Sequence, residues 1–257
     1  MPNDRLRDAL LRHGLDISDV ATATGVDQKT VERWITKGRA PYPRHRHTVA
    51  AMVRESESYL WPDALTPDRA AEVSTSEVVT VYPHRHQLPP ELWSRLVEST
   101  ANRVDILVYA GMFLTDNPGL LKKLREKARN GMKVRILFGD PECDAVERRS
   151  VEEGIGSGTI AAKIKNVVSI FAPIADEPGI DIRLHDTTLY NSIFRFDDEM
   201  LVNMHVLGHM APHSPTMHLR QLAGGSLFEL YAESFESVWE SSTAIPSEFL
   251  PRNGAKK

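Results

Sequence analysis

ISDVATATGVDQKTVERWITKG, residues 17–38, is the stretch on which the folding of the first part of this 257-residue chain turns. Ile17, Val20 and Ala21 recur at helical spacing and stop at Gly25; Val31, Trp34 and Ile35 recur in the same way and stop at Gly38. The spacing predicts two short helices joined by a tight turn. Gly25 supplies the positive φ that the turn requires, Ala21 lets the helices approach closely, Val26 plugs the space between them, and Asp27 caps the second helix. With Val31, Trp34 and Ile35 turned inward, the opposite face of that helix carries Gln28, Lys29, Glu32, Arg33 and Thr36.

Outward from this stretch the pattern stays helical. Leu6, Leu10 and Leu11 predict a helix ending at Gly14, and another follows Pro43 through Val49 and Val53. Residues 1–60 therefore read as a small all-α domain. The formal charge of the whole chain is −4, which by itself argues against a nucleic-acid partner. The charge is unevenly spread, however: residues 1–60 carry ten Lys/Arg against eight Asp/Glu, and residues 28–54 carry seven basic side chains against Glu32 alone.

Two helices at this spacing form a helix-turn-helix, in which the first braces the second and the second enters the major groove of DNA. On the outward face Gln28 suits adenine and Arg33 or Lys29 suits guanine, with Glu32 beside them. Thr30, Lys37, Arg39, Arg44 and Arg46 are placed for phosphates, with His45 and His47 adding contacts. The run from Ile17 through Gly25-Val26 to Thr30-Val31-Glu32-Arg33-Trp34 and Gly38 closely resembles the helix-turn-helix of the phage-repressor (Cro/C1, or XRE) family, over residues 4 to about 55. That resemblance implies double-stranded DNA as partner and transcriptional control. One such module reads a half-site, so a homodimer is expected.

Beyond residue 60 the periodicity fades, and Pro62, Pro67 and Ser74-Thr75-Ser76 mark residues 61–76 as a linker. Strand and helix then alternate: strands at 77–82, 104–109, 133–138 and 180–184, helices at 90–100, 118–130, 142–152 and 158–171. A hairpin of 188–196 and 199–206 turns at Asp197-Asp198, a strand follows at 216–222 and a helix at 226–240. Residues 77–243 thus read as an α/β domain and 244–257 as a flexible tail. Cys143 is the sole cysteine, which excludes an intrachain disulfide and a cysteine-based zinc cluster, and it reads as a small buried hydrophobe. No charged-then-apolar leader opens the chain and no apolar run approaches the ~18 residues of a membrane span. A soluble cytoplasmic protein with no membrane partner is expected.

The strand–helix–strand of 104–139, the late hairpin and the closing Phe235-Glu236-Ser237-Val238-Trp239 helix look like one repeat of a phospholipase-D-type domain, over roughly 77–240. The expected fold class is α + α/β, a helix-turn-helix domain followed by this phospholipase-D-like domain. The family's chemistry needs a His nucleophile, a Lys two residues on, and an Asp five residues beyond. With Asp198 placed at the Asp, the His falls on Asn191 and the Lys on Ile193; counted from His185, the Lys falls on Thr187 and the Asp on Ser192. Either register lacks the cationic clamp, which implies a non-catalytic sensor or dimerisation domain without catalytic residues. A phosphodiesterase or nuclease delivered to DNA by the head is the alternative. His185, Tyr190, Asn191 and His205 are the candidate lining of a pocket for a small effector, phosphorylated or nucleotide-like in keeping with the resemblance.

Gly154, Gly156 and Gly158 follow a helix instead of a strand, so they read as a cap and loop in place of a dinucleotide fingerprint. His205, His209, His213 and His218 are interrupted by Gly208, Pro212 and Pro215, which forbids ligands on one continuous helix; they read as loop histidines. His84 and His86 read as loop residues after Pro83. No metal and no cofactor are expected.

Overall fold

The computed structural model describes residues 2–62, 76–117 and 119–246. Most of the expected linker, residues 63–75, and the expected tail beyond residue 246 lie outside them. The chain divides into two compact units: Met1–Glu77 with Gln221–Leu230, and Val78–Arg220 with Tyr231–Lys257.

The first unit is helical, with α1 (Asp4–Arg12), α2 (Ile17–Thr24), α3 (Gln28–Thr36), α4 (Pro43–Val53) and the single turn α5 (Glu57–Leu60). Leu6, Leu10, Val20, Val31, Trp34, Val49 and Val53 meet in one core. Burial of such side chains stabilises each by roughly 1.5–3 kcal/mol, which short helices of this length need because they do not persist alone in water. Trp61 belongs to this core at 3% exposure, although its sequence surroundings assign it to the linker. The periodicity fades there because one turn of helix delivers Leu60 and Trp61 without a repeat to announce them.

The second unit is built on a mixed eight-stranded sheet in the order β1-β7-β6-β5-β2-β3-β4-β8. The strands are β1 (Val78–Tyr82), β2 (Arg103–Leu107), β3 (Lys133–Gly139), β4 (Ile180–His185), β5 (Asn191–Phe196), β6 (Glu199–Met204), β7 (Thr216–Arg220) and β8 (Thr243–Ala244). β2, β3 and β4 run parallel, and the other pairings are antiparallel. The helices are α6 (Pro90–Ser99), α7 (Leu120–Arg129), α8 (Asp144–Glu152), α9 (Thr159–Phe171) and α10 (Leu227–Ser241). The fold class is α + α/β, as the alternation of periods predicts.

Two elements depart from that prediction. β5 begins at Asn191, not 188, because the Leu189 N–H donates to the Tyr109 hydroxyl at 2.9 Å instead of to a neighbouring strand. The stretch assigned to the tail starts with β8, in which Ala244 pairs with Arg183. A two-residue strand is too short to alternate. Cys143 is only partly buried, at the N-cap of α8, so it is not the buried hydrophobe its type suggests.

The β5–β6 turn has a structural logic of its own. Asp197 holds φ at +50°, an uncommon value for a residue other than glycine. Its carboxylate accepts the backbone N–H groups of Ala101, Asn102 and Arg103 at 2.7, 3.0 and 2.8 Å, fixing the entry to β2. Three charge-assisted bonds offset the backbone cost.

Candidate nucleic-acid interface and sheet-domain cavity

The presentation of α3 follows from its two ends. Asp16 and Asp19 form a capping box at the start of α2, exchanging bonds of 2.8 and 2.9 Å, and Gly25 closes α2 at φ +69°. Asp27 then accepts the Lys29 N–H at 2.7 Å and starts α3. Val31, Trp34 and Ile35 are buried, so Gln28, Lys29, Glu32, Arg33 and Thr36 face outward at i, i+4 spacing. Thr30 is half-buried beside them, and Lys37, Arg39 and Arg44 are exposed. Among the described residues, no ion pair engages Lys29, Arg33, Lys37, Arg39 or Arg44. Arg44 Nε donates to His45 Nε2 at 3.2 Å, and no described carboxylate is paired with any of the five.

Arg46 is a correction. It is 7% exposed, its Nε lies 3.1 Å from Glu57 Oε2, and Nη1 donates to the Pro41 carbonyl at 3.3 Å. A guanidinium enclosed in this way does not reach a phosphate. His45 is likewise buried, its ring 6.0 Å from that of Trp34, while His47 stays exposed. Charge composition alone does not separate a basic side chain on the surface from one folded inward by its helical phase.

In the sheet domain the four expected pocket residues do not converge. Tyr190 is 80% exposed and Asn191, at the start of β5, is half-buried. His185 ends β4, buried, with Nε2 3.1 Å from the Val108 carbonyl; burial pushes its imidazole below the usual histidine range. Only His205 of the four lines the cavity of about 170 Å³ that opens between the sheet and its loops. His205 Nδ1 lies 3.1 Å from the Leu189 carbonyl, which can only accept, so the neutral ring carries its proton there. Nε2 then accepts from the Ser192 hydroxyl at 3.0 Å, and the ring stacks on Tyr109 with centroids 5.7 Å apart. Burial, reinforced by Arg149 and Arg85, pushes this imidazole down to about 4.

The cavity is completed by residues that the sequence does not assign to a pocket: Arg85, Tyr109, Lys163, Ser192 and Asn203. Asn203 follows the apolar Met200-Leu201-Val202 run of β6, and a polar residue on a buried strand is the one signal that points to it. Of the late histidines, His218 lies within β7 instead of in a loop. Its Nε2 is 2.7 Å from Glu199, which Arg95 clamps at 2.8 and 2.9 Å; the Arg95 bonds above all hold that carboxyl down to about 2. Among the described residues, no group of three or more His, Cys, Asp or Glu is arranged to hold a metal ion. No described helix is long and apolar enough to cross a membrane.

Residues 74–246 match the family model described as "Domain of unknown function (DUF5919)". No curated protein matches the chain. Solved structures similar to it include TrmBL2, an archaeal chromatin protein described as showing a novel mode of DNA binding, at 15% identity and TM-score 0.43 over 71% of this chain and 56% of that one. The chain therefore spans about half the length of TrmBL2. Nuc from Salmonella typhimurium, a phospholipase D family member, is similar at 14% identity and TM-score 0.36, over 61% of this chain and 90% of that one. NucT from Helicobacter pylori is similar at 11% identity and TM-score 0.38, over 65% and 96%.

Proposed function

The chain belongs to the DUF5919 family, a domain of unknown function, and on that footing we propose that it is a sequence-specific DNA-binding regulator whose family domain senses an effector. The observation that carries this reading is the exposed face of α3. It sets Gln28, Lys29, Glu32 and Arg33 at helical spacing on a capped, core-anchored helix that follows a glycine turn. Side chains of these types hydrogen-bond to base edges, whereas Lys37, Arg39 and Arg44 suit the phosphates on either side. A homodimer on a two-fold site is part of the same reading, because one module spans only a half-site.

A non-catalytic role for the family domain is supported by the identities at the positions where its phospholipase-D resemblance would place catalysis. Ile193 is a fully buried apolar residue where a phosphate-binding Lys would stand, and Asn191 takes the place of the nucleophile. His185, the nearest substitute, is enclosed and bonded to backbone.

Two substitutions test the assignment of roles. Arg33→Ala weakens binding to the preferred site by about 1–3 kcal/mol and relaxes its base preference at one position. Arg39→Ala weakens all DNA alike and lowers the salt slope by about one. Fluorescence anisotropy on specific and scrambled duplexes across a salt series separates the two. Unchanged selectivity in Arg33→Ala contradicts the placement of the reading face.

A further inference from the structure

The loop that carries Arg85 is held in place, and what it presents is an unspent cation. The Arg85 N–H donates to the Ser214 carbonyl at 3.0 Å, His84 Nδ1 bonds the His213 carbonyl at 2.8 Å, and His86 Nδ1 bonds the Pro212 carbonyl at 2.9 Å. The two imidazoles flanking Arg85 stack face to face, 5.4 Å between centroids. Three successive residues are thereby pinned to one segment, and the side chain between the histidines is directed to the 170 Å³ cavity. Its guanidinium lies on the Phe113 ring at 3.9 Å, an arrangement that fixes the plane of the fork.

Nothing in the described structure pairs with it. Arg85 Nε is buried without a hydrogen-bond partner. Of the carboxylates that feel its charge, Glu153 is engaged by Arg149 at 2.9 Å, and Asp116 acts on Arg85 only through space. Burial lowers the guanidinium to about 10, so it remains a cation at neutral pH. On the β6 side of the same cavity, Asn203 is 1% exposed; its Nδ2 donates to the Ser214 and Pro215 carbonyls, which leaves Oδ1 as a buried acceptor without a donor. An unmet donor and an unmet acceptor lining one cavity each cost about 1–3 kcal/mol of desolvation, which a ligand supplying both partners returns as affinity.

We propose that this cavity binds a small organic oxyanion bearing a neighbouring hydroxyl, with the anion on Arg85 and Lys163 and the hydroxyl donating to Asn203 Oδ1. The volume is close to that of engineered cavities that hold a benzene-sized guest, which sets the ligand at roughly six to ten heavy atoms. Phosphate monoesters and hydroxy-carboxylates both meet this description. His205 stays neutral beside the anion, its Nε2 occupied by the Ser192 hydroxyl, and contributes its ring edge without charge of its own. This deepens the sensor reading of the family domain and rests on it.

The test is calorimetric titration of the full chain with glycerol phosphate and, separately, with glycerate, using uncharged glycerol as control. One saturable site for at least one of the two acids is expected, with no heat from glycerol, and the arm that binds identifies the oxyanion. Arg85→Gln weakens that site at least about tenfold, the loss expected for a bond to a charged group. Lys163→Gln, on the half-exposed side of α9, weakens it several-fold and serves in its place if Arg85→Gln does not fold by circular dichroism. Binding of neither acid, or binding that either folded variant leaves unchanged, overturns the proposal. DNA binding is measured separately without either acid. DNA binding without acid binding overturns only the ligand site; acid binding without DNA binding supports the site and overturns the regulator.

Discussion

Replacing Arg46 by Ala lowers the stability of the helical head by about 3–5 kcal/mol, the cost of leaving a buried carboxylate without its counter-charge. Glu57 is 6% exposed at its side chain, and its close cation is Arg46; His47 is exposed and farther off, at 3.9 Å. The substitution also removes the donor on the Pro41 carbonyl and the packing of the Arg46 stem. The double variant Arg46→Met with Glu57→Leu removes both charges together and fills the space with apolar atoms, and it returns most of the lost stability. Urea unfolding followed by Trp34 fluorescence measures both. If Arg46 were a phosphate ligand instead, Arg46→Ala would leave the unfolding midpoint where it is and weaken DNA binding, which is the opposite pattern.

The second large effect is one of pH and belongs to His205. Its folded-state value of about 4 lies below the ~6.5 of an unfolded histidine, so the unfolded chain binds the proton more tightly. Stability from this group is therefore complete above pH 6.5 and is lost as pH falls towards 4, by about 3 kcal/mol over that window. Arg149 and Arg85 add repulsion to the desolvation that already disfavours the imidazolium, and stacking on Tyr109 gives it no counter-charge. His185 and His218 shift in the same direction, so the whole protein declines further than one group requires. His205→Gln keeps a donor for the Leu189 carbonyl and an acceptor for Ser192 while removing the titration. Denaturant midpoints at pH 7.5 and pH 4.5 should differ less in this variant than in the parent, by the contribution of one proton. Equal differences in both contradict the assignment.

The architecture was legible in the sequence where apolar side chains repeat. Val31, Trp34 and Ile35 place the outward face of α3 without coordinates, and the change of period after residue 76 marks the start of the sheet. What escaped was set by contacts far apart along the chain. Arg46 reads as one more cation in a basic strip until Glu57, eleven residues on, folds over it. Glu77, in a stretch read as the first residue of a strand, is fully buried and accepts the N–H groups of Leu227 and Phe228 at the start of α10, 150 residues away. Tyr190 and His205 face each other across the hairpin, the His205 N–H donating to the Tyr190 carbonyl at 2.8 Å, yet both lie just outside β5 and β6, and Tyr190 is exposed to solvent while His205 lines the cavity. Arg85 gives no signal at all in sequence. Its role comes from carbonyls of residues 212–214 that hold its neighbours.

The reading face of α3 is tested most directly by selection from a random duplex pool with the full-length protein, run in parallel with Arg33→Ala. Enrichment of one discrete motif, arranged as two inverted half-sites and altered at a single base position in each half by Arg33→Ala, is the predicted result. Recovery of the starting pool without enrichment, or of an identical motif by both proteins, contradicts it.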